Sequence, residues 1–177
     1  SSEVSLREES LKTAEYVEPS FMEKDLVIEI SGEVRAQVDR RLFHRALANL
    51  LENSARHAAT GSAVSVRLQE QRGFAVVAVA NQGETIAPEH LTRLFERFYR
   101  VDSSRVRSDM HHGLGLSIVR AIALMHHGEA FVRSVDGVNT FGFSLALSLP
   151  EEHPITPTSE PVQASPAIGK IKRESLS

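Results

Sequence analysis

The sequence predicts an α+β fold: a mixed sheet covered on one face by helices. Three observations predict it. Strand-like and helix-like segments are interleaved through residues 1–149. Ala63–Gln69, which alternates in polarity, and Phe74–Ala80, nearly continuous Val and Ala, are joined at Glu70–Gly73 as in a hairpin, which demands antiparallel pairing. Residues 39–58 carry Phe43, Leu47, Leu50, Leu51 and Ala58 on one helical stripe, a face that has to be buried against a sheet.

In chain order, residues 3–8 and 26–30 read as short strands, with a helix near 9–22 between them. A third strand at 34–38 leads into the helix at 39–58, which Asp39 opens as a cap and Thr60-Gly61 closes. After the hairpin the chain breaks at Asn81–Pro88, and a short helix follows at 88–97. The polar stretch from Arg100 to His112 has no periodicity. A further helix runs from Gly113 to His127 and ends at Gly128, and strands at 130–135 and 140–149 finish the domain. Residues 150–177 are rich in Pro, Ser, Thr and Glu and read as a disordered tail.

Composition narrows the function classes. With 177 residues, 41% of them hydrophobic, the chain suits one domain plus a tail. A formal charge of −3 opposes a nucleic-acid binder that works through a general basic field. No apolar run approaches the roughly 18 residues that cross a bilayer, so no direct membrane contact is expected of this domain. The absence of cysteine excludes disulfides and thiolate chemistry and fits a reducing compartment.

Three segments carry chemistry. Asn49, Asn53, Arg56 and His57 share one stripe beside the apolar face of the 39–58 helix. Carboxamides one turn apart can hold a hard cation through oxygen, and Arg56 can meet the phosphates that the cation neutralises. Gly113 and Gly115 stand where a loop becomes a helix, so backbone amides there can face a phosphate without an intervening Cβ. Asn81-Gln-Gly83 ends a strand, where a carboxamide can accept from a purine amine and a glycine lets the base lie close. Each segment alone leaves a plainer alternative: a solvated helix face, an ordinary helix start, an Asn-Gly-type turn. No Gly-x4-Gly-Lys-Ser/Thr run is present, which excludes a P-loop.

Taken in order, these segments resemble one family. The Asn helix is similar to an N box and Asn81–Gly83 to a G1 box. Leu94-Phe95-Glu-Arg-Phe98-Tyr-Arg100 is similar to an F box, and His112-Gly-Leu-Gly-Leu116 to a G2 box. Together they resemble the ATP-binding catalytic domain of bacterial sensor histidine kinases, over residues 3–149. The resemblance implies the Bergerat fold, a two-layer α/β sandwich shared with type II topoisomerases and the heat-shock 90 chaperones, and the cofactors ATP and Mg²⁺. The wording Val79-Ala-Asn-Gln-Gly83, Ile86-Ala-Pro-Glu-His-Leu91 and Phe98-Tyr-Arg-Val-Asp102 further resembles the heavy-metal (copper or silver) sensor branch.

By that resemblance, Asn49 and Asn53 hold Mg²⁺ and Arg56 reaches a phosphate, while His57 packs on adenine or ribose. Asn81 reads the adenine amine, with Gly83 beneath the ring and Ile86 beside it. Arg100 and Arg105 are lid cations on the phosphates, with Phe95 and Phe98 anchoring the lid. His112, Gly113, Leu114, Gly115 and Leu116 close on the phosphates through their segment's amides. The resemblance also implies partners: an upstream dimerisation and phosphoacceptor domain of the same protein, a homodimer in the full-length chain, and a cognate response regulator. It implies a cytoplasmic domain of an inner-membrane sensor kinase. No phosphoacceptor run of the His-Glu-Leu/Phe-Arg-Thr-Pro kind occurs here, and His90-Leu-Thr-Arg is only an echo of one. The doublets His111-His112 and His126-His127 suit a helix end better than a metal, because adjacent helical residues point apart.

Three departures stand out. Asn81 occupies the place of an Asp, Thr85 the second glycine of G1, and His111 the first glycine of G2, which stiffens the lid hinges. A neutral acceptor is weaker than a carboxylate by roughly 1 kcal/mol, so weak ATP affinity is expected, improved by Asn81→Asp. Hydrolytic relatives carry a Glu general base where this chain has Asn49, which takes no proton at neutral pH. Glu52 points ~60° away from Asn49 around the helix. That favours phosphoryl transfer to a histidine over hydrolysis. A slow ATPase, or a nucleotide-free interaction module that has lost the site, are the competing readings.

Overall fold

The computed structural model describes residues 1–97, 99 and 115–148. In chain order the elements are β1 (Ser2–Ser5), α1 (Leu6–Met22), β2 (Val27–Ser31), β3 (Arg35–Val38), α2 (Arg40–His57), β4 (Ala63–Gln71), β5 (Phe74–Gln82), α3 (Pro88–Leu91), α4 (Gly115–Met125), β6 (Ala130–Val135) and β7 (Val138–Ala146). Five strands form one mixed sheet in the order β2-β4-β5-β7-β6, and β1 pairs with β3 in a separate antiparallel ribbon. Only β2 and β4 run parallel within the larger sheet. The expected mixed sheet under helices is therefore present.

The two main hairpins close for the same reason. Arg72-Gly73 and Asp136-Gly137 both adopt positive φ (50° and 82°; 51° and 75°). Two consecutive left-handed residues give the turn whose twist matches paired strands. The resulting β4–β5 register sets Val64, Val66 and Leu68 on the buried face with Val77, Val79 and Ala75. Helices α1, α2 and α4 cover that face. Phe43 of α2 meets Phe143 of β7 with ring centroids 6.0 Å apart, both nearly fully buried.

Some boundaries differ from expectation. The first strand stops at Ser5, because the Ser5 hydroxyl accepts from the Glu8 amide at 3.1 Å and caps a helix that begins at Leu6 rather than near residue 9. Regular helix after Pro88 ends at Leu91. The chain then continues in tight turns, with Arg93 N donating to His90 O and Glu96 N to Arg93 O. The last strand starts at Val138, since Asn139 and Thr140 pair across to Asn81 and Ala80. β5 is buried on alternate residues only, so its second face is half-open rather than enclosed. The proposed tail, 150–177, lies outside the described residues.

Candidate functional site

Helix α2 is set in phase by its cap. Asp39 accepts from the amides of Arg41 and Leu42 at 2.9 and 3.2 Å, as expected of a carboxylate at a helix start. With the Phe43–Leu51 stripe against the sheet, Asn49 is turned toward the start of α4, with Asn53 one turn further along α2. Asn53 is buried. The Nδ2 atoms of both asparagines are buried and have no hydrogen-bond partner among the described residues. A half-turn of either amide exchanges its donor for its acceptor, so each can offer oxygen to a cation or N–H to a phosphate.

The start of α4 lies against Asn49. A Cβ built on Gly115 would sit 3.7 Å from Cγ and Oδ1 of Asn49. A side chain there would stand against the carboxamide at the N-terminal end of α4, the end of a helix where an anion is favoured. Leu116 packs its side chain against the core, which leaves only its backbone for that role.

The second half of the site is the end of β5. Asn81 is 2% exposed, its Nδ2 donating to Gln82 O at 3.2 Å while its Oδ1 is buried without a partner. Gly83 is close-packed: an added Cβ would lie 2.9 Å from His57 O and 3.1 Å from Asn81 Nδ2. His57, Asn81 and Gly83, predicted separately from sequence, are thus brought together where α2 ends against β5. Ala59 N donates to Gln82 O at 3.0 Å and fixes that junction. His57 is open to solvent over part of its surface. Burial of the rest, then the charges of Arg56 and Lys24, lowers its imidazole below the ordinary value of 6.5. The folded state thus resists protonation here. The stability this group contributes is complete above that ordinary value and is lost as the pH falls through the lowered one.

Ile86 and Phe95 are half-buried and packed against the core. Arg56 is exposed beside His57. Arg100, Arg105, His112, Gly113 and Leu114, with Phe98 and His111, lie outside the described residues.

Sequence reasoning missed three residues. Asn139 is 3% exposed and faces Asn81 across the β5–β7 register. Its Nδ2 donates to Glu84 O at 2.8 Å, its Oδ1 accepts from Ser134 Oγ, and that hydroxyl accepts from Ile86 N at 2.9 Å. This relay, with Gly83 N donating to Gly137 O at 3.0 Å, holds the 83–86 loop. The signal available was a lone asparagine entering an otherwise apolar strand. Asn139→Ala removes the donor to Glu84 O and the acceptor of the Ser134 hydroxyl, which keeps only its bond from Ile86 N. Chemical denaturation should show a loss of about 1–3 kcal/mol. The third residue, Lys24, had no local signature.

The Asn81 geometry bears on its replacement by aspartate. The carboxylate is the stronger acceptor, but it gives up the Nδ2 bond to Gln82 O. Titration calorimetry of Asn81→Asp is expected to show ATP affinity raised by about fivefold at most, the equivalent of ~1 kcal/mol. No gain, or a loss, would discard the idea that the amide weakens base recognition.

Comparison with known proteins places this geometry. Residues 38–153 match the family model described as histidine kinase-, DNA gyrase B-, and HSP90-like ATPase. Sensor protein IrlS of Burkholderia pseudomallei is 39% identical over 129 residues, 73% of this chain and 28% of that protein. Sensor histidine kinase CusS of Escherichia coli K12 is 40% identical over 133 residues, 74% of this chain and 28% of that protein. The chain therefore spans under a third of these relatives' length. The solved mycobacterial sensor histidine kinase MprB superposes with a TM-score of 0.70 at 28% identity, covering 82% of this chain and 96% of that one. The fold is that of histidine kinase catalytic domains, the Bergerat sandwich. On the family match and the architecture together, the chain belongs to the histidine kinase-, DNA gyrase B-, and HSP90-like ATPase family, among relatives that are sensor histidine kinases.

Proposed function

We propose that this chain binds Mg²⁺-ATP between α2, the 83–86 loop and the start of α4, and transfers the γ-phosphoryl to a histidine on a dimerisation helix outside the chain. The observation that carries the reading is a set of three buried carboxamide atoms without partners among the described residues: Asn49 Nδ2, Asn53 Nδ2 and Asn81 Oδ1. Leaving such groups unbonded costs about 1–3 kcal/mol each, an arrangement retained where a ligand completes it. The residues fit the cofactors. Asn81 and Gly83 would receive the adenine, beside Ile86 and His57. Asn49 and Asn53 would hold the metal ion by oxygen, and Arg56 with the amides of Gly115 and Leu116 would take the phosphates. The ion, when bound, neutralises phosphate charge during transfer.

Transfer breaks the bond from the γ-phosphorus to the bridging oxygen of ADP and forms one to an imidazole nitrogen. The chain's own contribution is to position the nucleotide and to withhold a base from water. Asn49 accepts no proton at neutral pH, so the phosphoryl group is preserved for the better nucleophile. We assign the catalytic unit to residues 1–149 and the lid cations to Arg100 and Arg105, with Gly113, Leu114 and His112 closing the phosphate side. In the full-length protein this unit would act as the cytoplasmic part of a membrane sensor homodimer that passes phosphate to a response regulator, with metal ions such as copper as the stimulus.

Calorimetry with a non-hydrolysable ATP analogue, with and without Mg²⁺, tests the binding. Phosphate transfer to an added dimerisation domain then tests the kinase. Saturable, Mg²⁺-dependent binding is expected. Its absence would favour the nucleotide-free interaction module, and rapid phosphate release without transfer would favour an ATPase.

A further inference from the structure

Helix α2 ends where the proposed pocket needs it most rigid, and the group that ends it comes from elsewhere in the chain. The last four carbonyls of a helix lack partners within it and carry its negative end. Here Lys24, on the turn between α1 and β2, directs its ammonium at three of the carbonyls around that end. Lys24 Nζ lies 2.9 Å from Ala55 O, 2.9 Å from Arg56 O and 3.0 Å from Ala58 O. An ammonium has three N–H donors, and each has a carbonyl. The Lys24 carbonyl meanwhile accepts from Gly61 N at 2.9 Å, on the far side of the α2 exit. One residue therefore clamps the helix end from both directions.

What the clamp holds is the adenine side of the site. The His57 carbonyl lies between the clamped groups and stands 2.9 Å from the position a Cβ would take on Gly83. Ala59 N, just past the clamp, is bonded to Gln82 O beside Asn81. A shift of the last α2 turn by a few tenths of an ångström would reach Gly83, Asn81 and His57 together. Asn53, one turn earlier on the same rigid helix, would move with them.

We infer that Lys24 is a positioning residue of the nucleotide pocket, acting through the last turn of α2 to hold His57 and the wall facing Gly83 in their binding geometry. The inference rests on the proposed function, since it assigns a role in the same pocket. The Lys24 ammonium is taken up by the three carbonyls of the α2 end. Its effect is indirect and electrostatic as well as geometric: its charge is one of those that keep the His57 imidazole low.

The test uses the whole 177-residue chain and three variants, Lys24→Met, Lys24→Gln and Lys24→Arg. Calorimetry with an ATP analogue and Mg²⁺ gives the affinity, and NMR titration of the His57 imidazole in nucleotide-free protein gives its pKa. Lys24→Met and Lys24→Gln are expected to weaken binding by about tenfold and to raise the imidazole pKa, while Lys24→Arg recovers most of the affinity by restoring a charged donor. A merely structural role would lower the melting temperature while leaving the nucleotide affinity of the folded protein unchanged. Binding within about twofold of wild type in both neutral variants would overturn the inference and leave the nucleotide reading intact. Wild-type protein that binds no nucleotide would overturn both. Should Lys24→Met fail to fold, Lys24→Gln carries the same comparison, and affinity within about twofold of wild type in that variant alone would then overturn the assignment.

Discussion

Asn53→Ala should yield a protein that folds as well as the wild type and no longer binds Mg²⁺-ATP. Most buried polar side chains support the fold, and truncating one strands its partner. Asn53 is different: it is 7% exposed, and its Nδ2 has no partner to strand. Alanine removes a desolvated amide, so thermal unfolding is expected to stay within about 1 kcal/mol of wild type, or to improve slightly. Under the proposed function, binding and transfer use the lost oxygen and amide, and both signals should fall below detection. Calorimetry and a transfer assay on the same preparation check the two halves. Transfer at the wild-type rate would remove the Mg²⁺ assignment from Asn53, and a large loss of stability would show that its amide serves the fold instead.

Phe43→Ala should produce the opposite pattern. Phe43 is 1% exposed and packs against Phe143, which is fully buried, at the contact that seats α2 on the sheet. Removing a buried aromatic ring forfeits its transfer energy and leaves a cavity that the sheet and helix cannot close. The expected cost is about 3–5 kcal/mol, read as a lower midpoint in urea with the slope unchanged. Phe43 is about four turns from His57 and packs on Phe143 of the sheet. Protein that remains folded at low temperature should therefore bind the ATP analogue with near-wild-type affinity. A loss below 1 kcal/mol would mean that α2 is held chiefly by its ends.

The two variants mark what the sequence made legible. The apolar stripe and the Asn stripe of α2 follow from a single period, so Phe43, Asn49 and Asn53 could be assigned together. Asp39 was readable as a cap because capping is local. The start of α1 is earlier than the pattern of residues 3–8 suggests: the strand ends at Ser5, whose hydroxyl caps the helix by reaching an amide three residues on. The helix after Pro88 was drawn too long because composition does not distinguish a helix from successive tight turns. Lys24 and Asn139 escaped for a different reason. The bonds of Lys24 to Ala55, Arg56 and Ala58, and that of Asn139 to Glu84, span 31 or more residues, and no pattern in one sequence encodes a contact at that range.

The single parallel pairing in the sheet has a kinetic consequence. β4–β5 and β6–β7 can zip from their own turns, whereas β2 joins only after β3 and α2 have been traversed, with Val27 meeting Ala63. Closing that long excursion costs chain entropy before any contact rewards it. The edge strand is thus the late-arriving, early-fraying margin of the domain, and the lysine anchoring the Asn helix stands just ahead of it.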